Sequence, residues 1–213
     1  MIRPQHIVFD LDGTLFDTSL DLAGSVNFAL AQFSLPTHEL DAVVSFIGNG
    51  SLNLIKRAMD REDDALAQDI HRVFLAHYLE HCCELTKPYA GVLEFLAGPW
   101  RVSILTNKPD APTRKILAHF GLQNRFDYVL CGDTTPARKP APEGLLAILQ
   151  GMNVEPANAL MVGDDLPDIG AAKAARVPSL SLLNGFGQYA ELIGEGPTFL
   201  ADDFAQFSKL ISA

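Results

Sequence analysis

His6-Ile7-Val8-Phe9-Asp10-Leu11-Asp12-Gly13-Thr14 is the stretch on which the fold turns. An apolar run stops abruptly at a carboxylate, and Asp12-Gly13 breaks what would otherwise continue. A short apolar run closed by turn residues reads as a buried strand. Gly13 leaves the backbone free to take unusual dihedrals at the break.

The same pattern returns later in the chain. Val102-Ser103-Ile104-Leu105 stops at Thr106-Asn107, Tyr128 to Cys131 at Gly132-Asp133, and Leu160-Met161-Val162 at Gly163-Asp164-Asp165. Ser179 to Leu182 and a run near Thr198 to Leu200 complete the set. Helical segments lie between them: Pro112 to Phe120, Pro142 to Leu149, Asp168 to Ala175, and a terminal helix. Strands alternating with helices predict an α/β fold built on a doubly wound parallel sheet. Ligands of such sheets bind outside the carboxyl ends of the strands. Asp10, Thr106, Asp133 and Asp164 all stand at those ends and are expected to converge.

From about Asp17 to Cys82 the periodicity is helical throughout. Leu22, Val26, Ala29, Leu30 and Phe33 share one face of a helix that Asp17, Thr18 or Ser19 can cap and Pro36 ends. Glu39 to Ile47 forms a second helix, stopped by Gly48-Asn49-Gly50. Ser51 can cap a third, with Leu52, Ile55, Ala58 and Met59 on one side, and a fourth runs through Leu66, Ile70, Val73, Phe74 and Tyr78. No strand is expected in this insert. The organisation predicted is a core of residues 1–15 and 84–213 with a helical cap of residues 16–83.

Composition narrows the partners. The chain has 213 residues, 48% of them apolar and 20% charged, with a net charge of -10. These are ordinary globular values. Nucleic-acid and anionic-membrane binders carry basic patches, and no Lys/Arg run occurs here, so neither partner is expected. An acidic protein that binds a phosphorylated substrate must supply cation locally, from a metal or a few placed basic side chains. Cys82, Cys83 and Cys131 are odd in number and lack zinc-ligand spacing, which reads as reduced thiols. No signal-type segment and no run of about 18 apolar residues is present, so a cytoplasmic location is expected.

Asp10 and Asp12 stand at i and i+2 past a strand end, on one side of the chain. Carboxylates that close need a shared proton or a metal. With a metal, Asp10 stays ionised as a nucleophile and Asp12 acts as general acid; the alternative is an Asp-Gly turn with a helix-capping Asp. Thr106-Asn107 offers a hydroxyl and backbone N–H groups to an anion, or a helix cap. Lys139 precedes Pro140 and projects from a loop, as a phosphoryl-oxygen partner or a solvated lysine. Asp164 can ligate Mg²⁺. Asp168 can orient Lys139 or a metal-bound water, or serve as a first-turn helix acid. Asp165 reads as a polar turn residue.

Taken together and in this order, Asp10-Leu11-Asp12-Gly13-Thr14, Thr106-Asn107, Lys139-Pro140 and Gly163-Asp164 with Asp168 resemble the four signatures of haloacid-dehalogenase-superfamily phosphatases with a helical cap. Phe46 to Gly50, Pro88 to Val92, Thr106 to Pro109, Gly132-Asp133 with Lys139 to Pro142, and Val162 to Asp164 most resemble the phosphoglycolate phosphatases among them. Ala90 and Arg176 depart from that pattern, which usually has Pro and Gly there. The resemblance implies a Rossmann-like core and a phosphomonoesterase that works through an aspartyl phosphate on Asp10. It implies Mg²⁺ on Asp10, the Asp12 carbonyl and Asp164, with Thr106, Asn107 and Lys139 on the phosphate. Gly48, Asn49 and Gly50 are expected against a small phosphorylated metabolite, 2-phosphoglycolate by resemblance, with hinges near Phe16-Asp17 and Thr86 to Pro88. A basic pair, Lys56 and Arg57, could meet a carboxylate. A monomer or homodimer is expected. The alternatives are a broad-specificity phosphatase on sugar phosphates, nucleotides or pyrophosphate, and a phosphate-binding regulatory protein without turnover.

Overall fold

The computed structural model describes residues 2–211. In chain order the elements are β1 (His6–Phe9), β2 (Phe16–Asp17), α1 (Ser19–Gln32), α2 (Leu40–Ser45), α3 (Ser51–Met59), α4 (Asp64–His81), β3 (Lys87–Pro88), α5 (Val92–Leu96), β4 (Val102–Leu105) and α6 (Asp110–His119). There follow β5 (Val129–Leu130), α7 (Glu143–Met152), β6 (Ala159–Gly163), α8 (Leu166–Ala175), β7 (Ser179–Leu182), α9 (Tyr189–Glu195), β8 (Phe199–Ala201) and α10 (Phe204–Leu210).

Six strands form one parallel sheet in the order β5-β4-β1-β6-β7-β8. β1 lies at its centre, with Ile7 opposite Val102 on one side and Leu160 on the other. Every residue of β1 is buried, as expected for a strand covered on both faces. Alternation sorts its side chains. Ile7 and Phe9 face α5, α6 and α10, where Phe9, Phe95, Phe204 and Phe207 form an aromatic cluster. Val8 faces the other way, with Leu105 and Met161, against α7 and α8. The chain first moves from β1 to β4 on one side and later returns to β6 on the other, so β1 is flanked by the reversal of strand order. The crevice beyond its carboxyl end is where such folds bind ligands.

The helices α1 to α4 leave the sheet after β1 and return before β4. They pack on one another through Leu22, Val26, Ala29 and Leu30 of α1, Leu54, Ile55 and Met59 of α3, and Ile70, Phe74 and Tyr78 of α4. The expected absence of strands near the insert needs one correction. β2 and β3 pair antiparallel, Phe16 with Pro88 and Asp17 with Lys87, at the two points where the chain crosses between sheet and helices. Asp21 on α1 secures the return crossing, accepting from the Leu85 and Thr86 N–H groups and the Thr86 hydroxyl.

Two local expectations also change. Ser51 does not cap α3 from outside but is its first residue, and its hydroxyl meets His71 Nε2 at 2.8 Å. At the end of α8, Arg176 takes the left-handed conformation (φ 58°) that a glycine would favour.

Candidate active site

Sheet geometry delivers the acidic residues to one place. β1 ends at Phe9, so Asp10 emerges at the carboxyl edge, with its amide held by the Val162 carbonyl of β6 at 2.9 Å. β6 delivers Asp164 beside it, and the first turn of α8 delivers Asp168. Carboxylate oxygens of Asp10, Asp164 and Asp168 lie within 4.8 Å of one another. Gly13 lies against Asp164, where a Cβ would collide with the carboxylate. Its φ of 80° turns the loop so that the Thr14 hydroxyl donates to Asp164 Oδ1 at 2.5 Å. The Phe186 amide donates to the other oxygen at 2.7 Å.

Lys139 is 4% exposed and bridges this cluster. Its Nζ lies 2.8 Å from Asp10 Oδ1 and 2.6 Å from Asp168 Oδ1. Burial works against the ammonium, but Asp10 and Asp168 outweigh it and raise the Lys139 pKa. Asp168 Oδ2 also accepts from the Asp164 and Asp165 amides, at 3.2 and 3.1 Å. Asp168 therefore both closes the first turn of α8 and pairs with Lys139. Burial above all, and then the charge of Asp10, set against the pull of Lys139, push its carboxyl up to about 7. Asp164 is driven well above the usual carboxylate range by burial, then by Asp10 and Asp168.

These shifts state what the cluster lacks. Three carboxylates, those of Asp164 and Asp168 buried and that of Asp10 partly so, share one ammonium, and among the described residues no donor apart from that ion pair reaches the buried Asp10 Oδ1. Such groups require protons or further positive charge. An all-oxygen donor set suits a hard divalent cation such as Mg²⁺, so the residues fit the metal that the sequence suggested.

Asp12 lines the same crevice. Its oxygens accept from Lys108 Nζ at 2.9 and 3.1 Å, and Oδ1 accepts from the Thr18 hydroxyl at 2.7 Å. Thr106 and Asn107, both buried, follow β4. The Thr106 hydroxyl accepts from the Lys108 amide at 3.3 Å, which leaves its own proton available. The Asn107 side chain does not face the crevice as a simple anion donor. It receives the Lys139 amide at 2.9 Å and donates to the Lys139 and Gly48 carbonyls at 3.0 and 2.9 Å, joining three loops.

Over the carboxyl edge the helical insert closes a cavity of about 50 Å³, lined by Asp10, Asp12, Thr106, Lys108, Asp164 and, from the insert, Gly48, Gly50, Ser51, Leu54, Phe74 and Tyr78. Gly48 and Gly50 thus reach the expected place. Asn49 faces a neighbouring groove instead, with its carbonyl held by Asn53. Asp133 does not converge with the others: it is exposed and accepts from the Asp110 amide at the start of α6. Lys56 pairs with Asp64 at the surface, and Arg57 lines the outer groove. Two residues that sequence reasoning passed over belong to the site. Lys108 stood only as a neighbour of Thr106-Asn107, and Tyr78 only as one of an apolar helix face. Lys108 Nζ donates to the Tyr78 hydroxyl at 2.6 Å and lies 4.4 Å from its ring centroid.

A parallel sheet with an acidic, lysine-bridged crevice at its carboxyl edge defines a class, and comparison with known proteins agrees. Residues 7–182 match the model of the family described as haloacid dehalogenase-like hydrolase. The chain belongs to that family. Its relatives are more particular. It is 36% identical over 209 residues to the phosphoglycolate phosphatase of Colwellia psychrerythraea, covering 93% of this chain and 92% of that one. It is 35% identical to the phosphoglycolate phosphatase of Haemophilus influenzae, covering 96% and 97%. A solved structure described as a predicted phosphoglycolate phosphatase from Haemophilus somnus superposes with a TM-score of 0.90 at 32% identity, covering 97% of each chain.

Proposed function

We propose that this protein is a Mg²⁺-dependent phosphomonoesterase that hydrolyses 2-phosphoglycolate through an aspartyl phosphate on Asp10. The observation that carries the reading is the Asp10–Lys139–Asp168 bridge beside Asp164, set at the carboxyl edge of the sheet and roofed by helices. Its relatives' names supply the substrate. The roofed cavity has room for only a few water-sized groups, which favours a small ester over a nucleotide.

Asp10 attacks phosphorus in line while Asp12 protonates the leaving oxygen. Asp12 then takes a proton from water, and that water attacks the aspartyl phosphate, releasing phosphate and restoring Asp10. Lys139, the Thr106 hydroxyl and the Asn107 amide neutralise the phosphoryl oxygens, where placed charge supplies most of the catalysis. Asp168 holds Lys139 in position. Mg²⁺ held by Asp10, the Asp12 backbone carbonyl and Asp164 would add positive charge to the phosphoryl group. Residues 16–83 act as a cap that closes over a core of residues 1–15 and 84–213 and excludes water from the first step. Among the described residues no helix is long and apolar enough to cross a membrane. The enzyme of this reading is cytoplasmic, monomeric or homodimeric, and acts on a free metabolite.

The test is Mg²⁺-dependent phosphate release from 2-phosphoglycolate, sugar phosphates, nucleotides and pyrophosphate. A preference for 2-phosphoglycolate of about 100-fold in kcat/KM, worth about 2.7 kcal/mol, is expected. A flat profile would move the protein to the broad-specificity reading. Asp10→Asn is expected to abolish turnover in a folded protein; an active variant would end the aspartyl-phosphate mechanism.

A further inference from the structure

Among the described residues that line the cavity, Lys108 is the only lysine, arginine or histidine. It is 5% exposed. The other buried lysine, Lys139, is engaged with Asp10 and Asp168 on the side where phosphorus is attacked. Lys108 is paired elsewhere, 2.9 and 3.1 Å from the oxygens of Asp12, the residue that serves the leaving group in the proposed reaction. The cation of the cavity therefore stands beside the group that protonates the departing alcohol.

Tyr78 adds a second donor there. Its oxygen accepts from Lys108, so its own O–H proton remains free to donate. Burial, then the charge of Asp12, hold its pKa well above the usual phenol value, and it stays a hydroxyl. Leu22, Leu54 and Phe74 also line the cavity. A charged donor and a hydroxyl among apolar walls form a compact anion site. Lys56 and Arg57, the basic residues of α3, are turned outward and leave this recognition to Lys108.

We propose that Lys108, assisted by the Tyr78 hydroxyl, determines specificity by binding a carboxylate on the leaving alcohol, so that the site selects phosphate esters of short hydroxy acids. This rests on the phosphatase reading above. It assigns the core loop after β4, rather than the glycine loop between α2 and α3, as the reader of the substrate's second charge. Tyr78 comes from the helical insert, so the site is complete only with the insert closed.

The test compares two esters on two enzymes: 2-phosphoglycolate and its primary amide, equal in size but lacking the second charge, on the wild type and on Lys108→Met. The wild type should prefer the acid by about 100-fold in kcat/KM. Lys108→Met should bring that ratio to within about threefold of unity. Weaker proton transfer from Asp12 in the variant slows both esters, so the ratio, rather than either rate, reads recognition of the second charge. A preference retained in Lys108→Met would overturn the inference. Should that variant fail to fold, as judged by circular dichroism, Lys108→Gln takes its place. Tyr78→Phe should lower the ratio about tenfold, and an unchanged ratio there would remove the tyrosine from the proposal. Phosphate release from both esters without discrimination by the wild type would overturn the role of Lys108 alone. No Mg²⁺-dependent release from any ester would overturn the phosphatase reading and this inference with it.

Discussion

At the scale of single residues, the groups that matter most are polar side chains placed where water is excluded. His6 is a case outside the active site. It is fully buried in β1, with Nε2 2.8 Å from the Ser103 hydroxyl of β4, and among the described residues no hydrogen-bond partner meets Nδ1. Burial, the largest cause, lowers its pKa to about 4 against the pull of Asp127. The unfolded chain takes up a proton near pH 6.5 that the folded chain refuses until about pH 4. Stability should therefore fall as pH drops through that window, by about 3 kcal/mol in total. Urea denaturation of the wild type and His6→Gln between pH 7 and 4.5 checks this: the gap in unfolding free energy should narrow as pH falls, and parallel curves would clear His6. Within the site, Asp168→Asn keeps the shape but removes the charge that holds Lys139. A loss of about 10–100-fold in kcat is expected with little change in KM, and full activity would show that Lys139 needs no such support. The residues at the strand ends were legible in the sequence because each follows an apolar run at a break. Lys108 and Tyr78 were not, because their relation depends on how α4 lies over the loop after β4, and nothing local encodes that.

At the scale of elements, long periodic segments were legible and short ones were not. The strand at Val102 and the helices α1 and α4 follow from alternation or helical spacing over several turns. β2 and β3 contain two residues each, one of them Pro88, and exist only because Phe16 and Pro88 meet across the insert. The short helices α5 and α9 offered too few residues for a period to show. Two substitutions probe this level. Arg176 closes α8 with a positive φ, which costs an ordinary side chain about 1 kcal/mol relative to glycine. Arg176→Gly should raise the unfolding free energy by up to about 1 kcal/mol, measured by denaturant midpoint; a lower midpoint would mean that the arginine side chain contributes more than the backbone strain removes. Asp21→Ala should do the opposite. It strands the buried amide and hydroxyl of Thr86 and the part-buried amide of Leu85, at a cost of about 2–4 kcal/mol. An unchanged midpoint would show that water replaces the carboxylate.

At the scale of the whole molecule, closure of the helical insert rests on very small residues. Gly48 has a φ of 110°, its carbonyl accepts from Asn107, and any side chain on it would strike Asp165 at the start of α8. Gly48→Val should hold the insert away from the core and reduce kcat/KM by about 100-fold, with the unfolding midpoint lowered by the strain of a β-branched residue at this φ, about 1 kcal/mol or more; an unaffected rate would mean that closure is not needed for turnover. The glycines were readable as a stop between helices, but their contact with Asp165 required the assembled molecule. The sheet order has a further consequence, for the order in which the chain acquires its structure. β1 is the central strand, yet its partners enter at Val102 and Ala159. During synthesis the apolar run Ile7-Val8-Phe9 therefore leaves the ribosome long before either neighbour exists. The helices of the insert pack largely on one another and can collapse meanwhile from contacts near in sequence, which form fast, whereas distant strand pairing is slow. An exposed strand waiting for its partners is the condition under which nascent chains aggregate or engage chaperones, and that interval lasts here until β6 emerges.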